Sequence, residues 1–246
     1  MSDFSRKIIY TGVRIPNIVP DKRTGVNIFH HPTIRIKYDA HLDSAIVKQA
    51  LEEECYLVFL SRNGVVGLNA WMQTTDISLD FRGKRIWAVG KQTAKEVDTT
   101  LGAVAGEPAE QNANGLIRVF ETLKPRPVVL FCAEDPRPEY PDWLIRCGWQ
   151  YNIFPVYRTV VVMNEDLAQR FSNTPDESII LTSPSTVKGF IESINMKDLS
   201  AVTARLFSIG PSTSKAIEAF GGKVYQEATE PDIDQLLTDI INEMDK

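Results

Sequence analysis

The stretch IWAVGKQTAK at residues 86–95 returns as LFSIGPSTSK at residues 206–215, an offset of 120 residues. Gly, Thr and Lys stand at the same positions in both copies. Upstream of this stretch, FLSRNGV at residues 59–65 matches LTSPSTV at residues 181–187 at an offset of 122 residues. A unit that spans half of the chain and is used twice predicts two similar domains facing each other, with the ligand in the cleft between them.

Length and composition suit this arrangement. A chain of 246 residues is long enough for two domains of roughly 120 residues each. No stretch approaches the ~18 uninterrupted apolar residues of a membrane span, and residues 1–7 lack the apolar core of a signal peptide. The three cysteines are odd in number, which favours reduced thiols over a disulfide framework. We therefore expect a cytoplasmic protein.

Short β-branched and aromatic runs alternate with helical patterns along the chain. The predicted strands are Lys7–Tyr10, Tyr56–Leu60, Arg85–Val89, Val128–Cys132, Ser178–Leu181, Arg205–Ile209 and Lys223–Tyr225. Apolar stripes predict helices between them: Leu42, Ala45, Ile46, Gln49 and Ala50; Leu116, Ile117, Val119, Phe120 and Leu123; and Ile233, Leu236, Leu237, Ile240 and Ile241. This alternation predicts an α/β fold of two similar flavodoxin-like domains with parallel sheets.

Two extended segments, PTIRIKY at residues 32–38 and PVYRTVV at residues 155–161, occupy matching places in the two repeats. We interpret them as linker strands that cross between the domains side by side, as a two-stranded ladder. The chain then divides into a discontinuous domain of residues 1–37 and 160–246, and a second domain of residues 38–159.

Polar residues follow four predicted strands where the chain turns into a helix. In parallel α/β sheets, ligands bind past the carboxyl ends of the strands, and helix N-termini there offer N–H donors and partial positive charge. Four such turns around one cleft predict a receptor for carboxylates. The candidate residues are Ser61, Asn63, Gly90, Thr93, Ser183, Ser185, Thr186, Gly210, Ser212 and Thr213. Ser, Thr and Asn are also preferred helix N-caps whatever the function, so each residue alone has a structural explanation.

The remaining chemical candidates are weaker. The three histidines lack the spacing of a zinc site, so we predict no metal. Glu134 and Asp135, with Glu139 and Asp142, could supply an acid/base pair, but nearby prolines favour an exposed loop. Tyr157, on the second linker strand, faces either the protein interior or the cleft. The net charge of −5 disfavours nucleic-acid binding, because phosphate backbones demand a basic surface.

Together these motifs resemble the uroporphyrinogen-III synthase family over most of the chain. The pieces that carry the resemblance are FLSRNGV at 59–65, AVGKQTA at 88–94, PVYRT at 155–159, LTSPSTV at 181–187 and SIGPST at 208–213. Each piece is short, and their order and spacing make the match. The family fold, two flavodoxin-like domains joined by a two-stranded ladder, agrees with the interpretation above.

The resemblance implies an enzyme that cyclises the linear tetrapyrrole hydroxymethylbilane to uroporphyrinogen III. The hydroxyl of the substrate leaves as water, ring D attacks to give a spiro intermediate, and the ring closes with ring D inverted. The resemblance also implies a lyase without a cofactor, and we expect a monomer. Tyr157 resembles the family tyrosine that assists departure of the hydroxyl, and Thr93 resembles a cleft threonine. Ser61, Ser183 and Thr213 resemble positions that contact the carboxylates of the substrate.

Two other functions remain open at this level. A non-catalytic relative would bind a tetrapyrrole or another anion without changing the ratio of product isomers. A two-domain binding protein for a sugar or small acid would use a similar hinged pair of domains.

Overall fold

The computed structural model describes residues 6–14, 16–17 and 25–244. Its contacts divide these residues into two compact units. The first unit contains the residues up to Arg35 and those from Thr159 onward, and the second contains Ile36–Arg158. The predicted domain boundaries, at 37/38 and 159/160, stay a prediction. Within the described ranges, every helix is too short or too polar to cross a membrane.

The first unit is built on one parallel sheet. Its strands are β1 (Arg6–Tyr10), β2 (Val26–His30), β9 (Glu177–Leu181), β10 (Arg205–Ser208) and β11 (Val224–Glu227), in the order β2-β1-β9-β10-β11. All four pairings between these neighbours are parallel. Its helices are α6 (Glu165–Arg170), α7 (Pro184–Ser193), α8 (Pro211–Ala219) and α9 (Ile233–Met244). This order is the flavodoxin-like one.

The second unit repeats the pattern. Its strands are β4 (Tyr56–Phe59), β5 (Arg85–Ala88), β6 (Ala105–Gly106), β7 (Val128–Ala133) and β8 (Tyr151–Val161), with β3 (Ile34–Lys37) at the edge beside β8. The order is β3-β8-β7-β4-β5-β6, and β8 through β6 are paired in parallel. Its helices are α1 (Ser44–Glu52), α2 (Arg62–Thr75), α3 (Lys91–Leu101), α4 (Ala113–Phe120) and α5 (Glu139–Arg146).

Both faces of each sheet are buried, which explains why the central strands are continuously apolar. In β4, Leu57 and Phe59 pack with α1, α2 and α3, whereas Tyr56 and Val58 pack with α4 and α5 on the other face. The first unit does the same: Ile179 packs with α6, α7 and α8, and Ile180 packs with α9. The predicted α/β class with parallel sheets is confirmed.

The internal repeat does not coincide with the units. The first repeat supplies β1 and β2 to the first unit and β4, β5 and β6 to the second. The second repeat supplies β7 and β8 to the second unit and β9, β10 and β11 to the first. Each unit therefore combines the first two strands of one repeat with the last three of the other. The chain passes between the units within β3 and within β8, which are neighbours in the strand order.

All seven predicted strands are present, with ends shifted by at most two residues. Within the described residues, two further strands were not predicted: the half-buried edge strand β2 and the two-residue strand β6. The predicted apolar stripe of α1 is only partly correct: Leu42 and Ala50 pack against the core, but Ile46 is 52% exposed, and Val47 and Leu51 are the buried residues. Val47 and Leu51 are one turn apart, so they form an equally good stripe, and packing against α2 and the sheet selected it.

Candidate functional site

The site in the second unit begins at the turn between β4 and α2. Ser61 is the N-cap of α2, and its Oγ accepts a hydrogen bond from the Gly64 N–H at 3.3 Å. A Cβ on Gly64 would lie 2.5 Å from the Phe131 carbonyl oxygen in β7. The glycine of the SRNG motif is therefore needed because the start of α2 presses against the backbone of β7.

Tyr157 reaches the same turn from β8. Its hydroxyl lies 2.9 Å from Ser61 Oγ, while its ring packs against the core on the α1–α3 face of the sheet. The side chain is half-buried, and its ring packs as the first of the two sequence interpretations predicted. Burial raises the pKa of Tyr157, and the hydrogen bond with Ser61 and the charge of Arg137 oppose that rise.

A shift in strand pairing brings this tyrosine to the end of β7. Cys132 pairs with Pro155, but the next residue, Ala133, pairs with Tyr157. The Glu134 N–H then donates to the Tyr157 carbonyl oxygen at 2.8 Å. A bulge of this kind redirects side chains at a strand end, and such irregularities often accompany active sites.

Tyr157 lines an opening of about 340 Å³ in the second unit. The other lining residues are Asp39, Ala40, His41, Leu42, Glu134, Pro155 and Arg158. Arg158 donates to both carboxylate oxygens of Asp39, at 3.1 and 2.6 Å, and this contact lowers the pKa of Asp39. Charged groups of both signs thus surround the tyrosine.

Sequence reasoning missed Asp39 and Arg158, whereas the exposed loop predicted around Glu134 is confirmed, because Glu134 lies in an exposed bend between β7 and α5. The available signal was their position, since Asp39 directly follows the first segment that was predicted to link the domains and Arg158 lies within the second. Glu139 and Asp142, grouped with Glu134 in that hypothesis, lie instead in the first turn of α5. Acidic residues are favourable there because of the helix dipole.

The second turn of this unit follows the neighbouring strand β5. Gly90 is the N-cap of α3 and provides no side-chain cap, and Thr93 is buried in the first turn. Gly90 has φ 177°, an extended conformation, so the glycine is not required for backbone freedom. Its Cβ would instead meet the Gln111 side chain at 2.9 Å, and Gln111 Oε1 accepts from the Lys91 N–H. Because β4 and β5 pair in parallel, both turns lie at the same edge of the sheet.

The first unit carries the repeated turns at the ends of β9 and β10. Ser183 and Thr186 form a reciprocal capping box at the start of α7, in which Thr186 Oγ1 accepts from the Ser183 N–H at 2.9 Å. Thr186 is fully buried, and its hydroxyl also donates to the Ser183 carbonyl oxygen. The structure thus gives Thr186 a role within the turn, while Ser185 beside it is half-buried.

The turn into α8 has no side-chain cap, because Gly210 occupies the N-cap and Pro211 follows it. Thr213 is 1% exposed, whereas Ser212 lies on the surface. The structure therefore brings together Ser61, Asn63, Gly90, Thr93 and Tyr157 at one sheet edge. It brings together Ser183, Ser185, Thr186, Gly210, Ser212 and Thr213 at the corresponding edge of the other sheet.

The histidines have other roles. His30 lies 2.7 Å from the Gly12 carbonyl oxygen through Nε2 and stacks on Tyr10 with ring centroids 5.3 Å apart. His41 lines the opening beside Tyr157. In the described part of the chain, no three His, Cys, Asp or Glu side chains are grouped as metal ligands.

Known proteins share this architecture. The sequence profile of "Uroporphyrinogen-III synthase HemD" matches residues 20–238. A uroporphyrinogen-III synthase of Chlorobaculum parvum is 28% identical over 176 residues, covering 68% of this chain and 71% of that protein.

Solved structures with this fold include uroporphyrinogen-III synthetase from Helicobacter pylori, with a TM-score of 0.67 at 17% identity, covering 97% of this chain and 99% of that one. A mutant uroporphyrinogen III synthase from Thermus thermophilus has a TM-score of 0.61 at 13% identity, covering 96% and 97%.

Two flavodoxin-like sheets with polar turns at their carboxyl edges define a parallel α/β protein whose ligand site is expected past the strand ends. The profile match extends over most of the chain. The chain belongs to the uroporphyrinogen-III synthase family.

Proposed function

We propose that this protein is a uroporphyrinogen-III synthase, which cyclises hydroxymethylbilane to uroporphyrinogen III with inversion of ring D and loss of water. The observation that carries the proposal is the Tyr157 hydroxyl, which is hydrogen-bonded to Ser61 and borders an opening within one unit. A phenol in this setting can give a proton to a departing hydroxyl group. The family membership supplies the substrate class.

The proposed reaction begins with proton transfer from the Tyr157 hydroxyl to the hydroxyl of the substrate. The carbon–oxygen bond then breaks, water leaves, and the resulting cation is attacked by the substituted carbon of ring D. The Ser61 hydroxyl stabilises the phenolate by hydrogen bonding, which agrees with its lowering effect on the Tyr157 pKa. Burial keeps the phenol protonated before the substrate arrives.

Orientation is the second part of the proposal. Spontaneous closure gives the isomer without inversion, so the protein must hold the substrate in one conformation. We assign this task to the polar turns, where helix N-termini attract the carboxylates of the substrate. Ser61, Asn63, Gly90, Ser183, Ser185, Gly210, Ser212 and Thr213 are the proposed contacts, and Thr186 supports Ser183 through the capping box.

The reaction class, the oligomeric state and the location of the protein are further parts of the proposed function. We infer a hydro-lyase that needs no cofactor, because proton transfer and orientation suffice for this reaction. We also infer a monomer working in the reducing cytoplasm, where Cys55, Cys132 and Cys147 remain free thiols.

The test supplies fresh hydroxymethylbilane, oxidises the products and separates the III and I isomers. The wild-type protein should give an excess of the III isomer. Tyr157→Phe should fold normally and lower the rate by ~10²–10⁴-fold, which is the range for loss of a general acid. Tyr151→Phe is the matched control, because Tyr151 is an exposed tyrosine at the other end of the same strand.

Two results would contradict the proposal at different levels. An unchanged rate for Tyr157→Phe removes Tyr157 from the mechanism. A wild-type protein that binds the substrate but gives no excess of the III isomer is a non-catalytic relative.

Thr93→Val keeps a buried side chain of similar shape and removes the hydroxyl, so its rate tests the catalytic role proposed for Thr93.

A further inference from the structure

A second tyrosine contacts the first turn of α2 beside Tyr157. Tyr38 follows β3, and its hydroxyl donates a hydrogen bond to Asn63 Oδ1 at 3.0 Å. Its ring lies 6.5 Å from the Tyr157 ring, centroid to centroid, at an angle of 53°. Two phenols therefore bond to side chains two residues apart, Tyr157 to Ser61 and Tyr38 to Asn63.

The contact with Tyr38 fixes how the Asn63 amide is turned. An amide side chain has an acceptor oxygen and a nitrogen with two N–H donors. The oxygen is occupied by Tyr38, so the nitrogen is the group left for other partners. Among residues 6–14, 16–17 and 25–244, no side-chain or backbone acceptor bonds to Asn63 Nδ2. Asn63 is half-buried and Tyr38 is 37% exposed, so a ligand can reach this turn.

We propose that Tyr38 is a positioning residue that holds the Asn63 amide with its N–H donors toward a carboxylate of the substrate. This inference rests on the proposed function, and it adds a residue that was not among the candidate site residues of the sequence analysis. The opposite orientation of the amide would present an oxygen to the carboxylate, and two acceptors repel each other. Tyr38 therefore selects an anion over a hydrogen-bond donor at this position.

Two substitutions separate the contributions of the two side chains. Asn63→Asp keeps an oxygen for Tyr38 but removes both N–H donors and adds a negative charge. It should raise the KM for hydroxymethylbilane by ~10-fold or more, since hydrogen bonds to charged groups are the stronger class. Tyr38→Phe keeps the ring and removes the hydroxyl, and it should raise KM about 3–10-fold with kcat changed less than about 2-fold.

The double variant decides whether the two residues act together. If Tyr38 acts through Asn63, then Tyr38→Phe adds little to the KM of Asn63→Asp, and the two effects are not multiplicative. Tyr151→Phe is the control for loss of an exposed phenol, and thermal unfolding of each variant checks the fold. Multiplicative effects, an unchanged KM for Tyr38→Phe, or a loss confined to kcat would each overturn the inference.

A binding measurement keeps this outcome separate from that of the proposed function. Titration of each variant with uroporphyrin III, a stable tetrapyrrole polycarboxylate, gives a Kd that does not depend on turnover. Tyr38→Phe and Asn63→Asp should both weaken this binding. If the wild type forms no excess of the III isomer but the two variants still weaken binding, the proposed reaction fails and the role of Tyr38 stands. If binding is unchanged in both variants, the role of Tyr38 fails.

Discussion

Two serines at matching places of the repeat make different side-chain contacts. Ser61 and Ser183 are both N-caps, but the third residue after Ser61 is Gly64, whereas the third after Ser183 is Thr186. Thr186 returns bonds to the Ser183 turn and completes a capping box. Gly64 has no side chain to do so, and Ser61 bonds to Tyr157 instead. In one copy Ser183 and Thr186 bond to each other within the turn, whereas in the other copy Ser61 bonds to Tyr157, a titratable residue.

The pH dependence of turnover should reveal this coupling. The pKa of Tyr157 is raised by burial, so the phenol stays protonated beyond the ordinary tyrosine pKa of about 10. A general acid is active while protonated, so the alkaline limb of the kcat profile should lie above that value. Ser61→Ala removes a bond that lowers the pKa, and it should move the limb to still higher pH. An alkaline limb that persists unchanged in Tyr157→Phe would assign the titration to another group.

At the scale of elements, two helices pack against the linker segments through glycines. A Cβ on Gly67 in α2 would lie 2.4 Å from the Val156 carbonyl oxygen, and one on Gly189 in α7 would lie 2.3 Å from the Thr33 carbonyl oxygen. Both pairs occupy matching positions in the repeat. The same close approach therefore occurs once in each unit, and it sets the distance between the helix and the linker segment.

Replacing either glycine by alanine should destabilise the unit that contains it. The added methyl group meets a backbone carbonyl that cannot rotate away, so we expect a loss of ~1–3 kcal/mol in the free energy of unfolding. Gly210→Ala is the control, because its Cβ has no neighbour within 4 Å and its backbone is extended. Chemical denaturation measures all three variants. Losses for Gly67→Ala and Gly189→Ala no larger than the loss for Gly210→Ala would show that the helices shift at little cost.

At the scale of the whole molecule, the fold depends on strands that are distant in sequence. In the first unit β1 pairs with β9, so residues 7–10 lie beside residues 177–180. In the second unit, β4 pairs with β7 and β8 joins β7, all within Ile36–Arg158. Only the second unit is therefore a continuous piece of chain.

Two fragments of equal length test this organisation. The fragment 36–158 contains five consecutive parallel strands and both apolar clusters of its sheet, so it should fold alone. The fragment 1–123 corresponds to one sequence repeat but holds only parts of two sheets, so it should remain unfolded. Circular dichroism and amide exchange distinguish the two results. A cooperative melt for 1–123, or none for 36–158, would contradict the division into units.

Much of the candidate site could be predicted because turn residues follow strands in a local pattern. Ser61, Gly90, Ser183 and Gly210 were all expected where strands end, and each is the N-cap of a helix. Asp39 and Arg158 carry no such pattern. Their pairing depends on two segments that are 119 residues apart in sequence.

Sequence patterns alone predict the repeated unit, the central strands and the residues of the turns, because these depend on periodicity and on the backbone preferences of neighbouring residues. Long-range contacts determine which strands share a sheet, which residues of α1 are buried and which side chains meet at the start of α2. Tyr157 reaches Ser61 across 96 residues of sequence, and Tyr38 reaches Asn63 across 25. Such contacts follow from the path of the whole chain, since burial and strand pairing select among local patterns that are equally favourable.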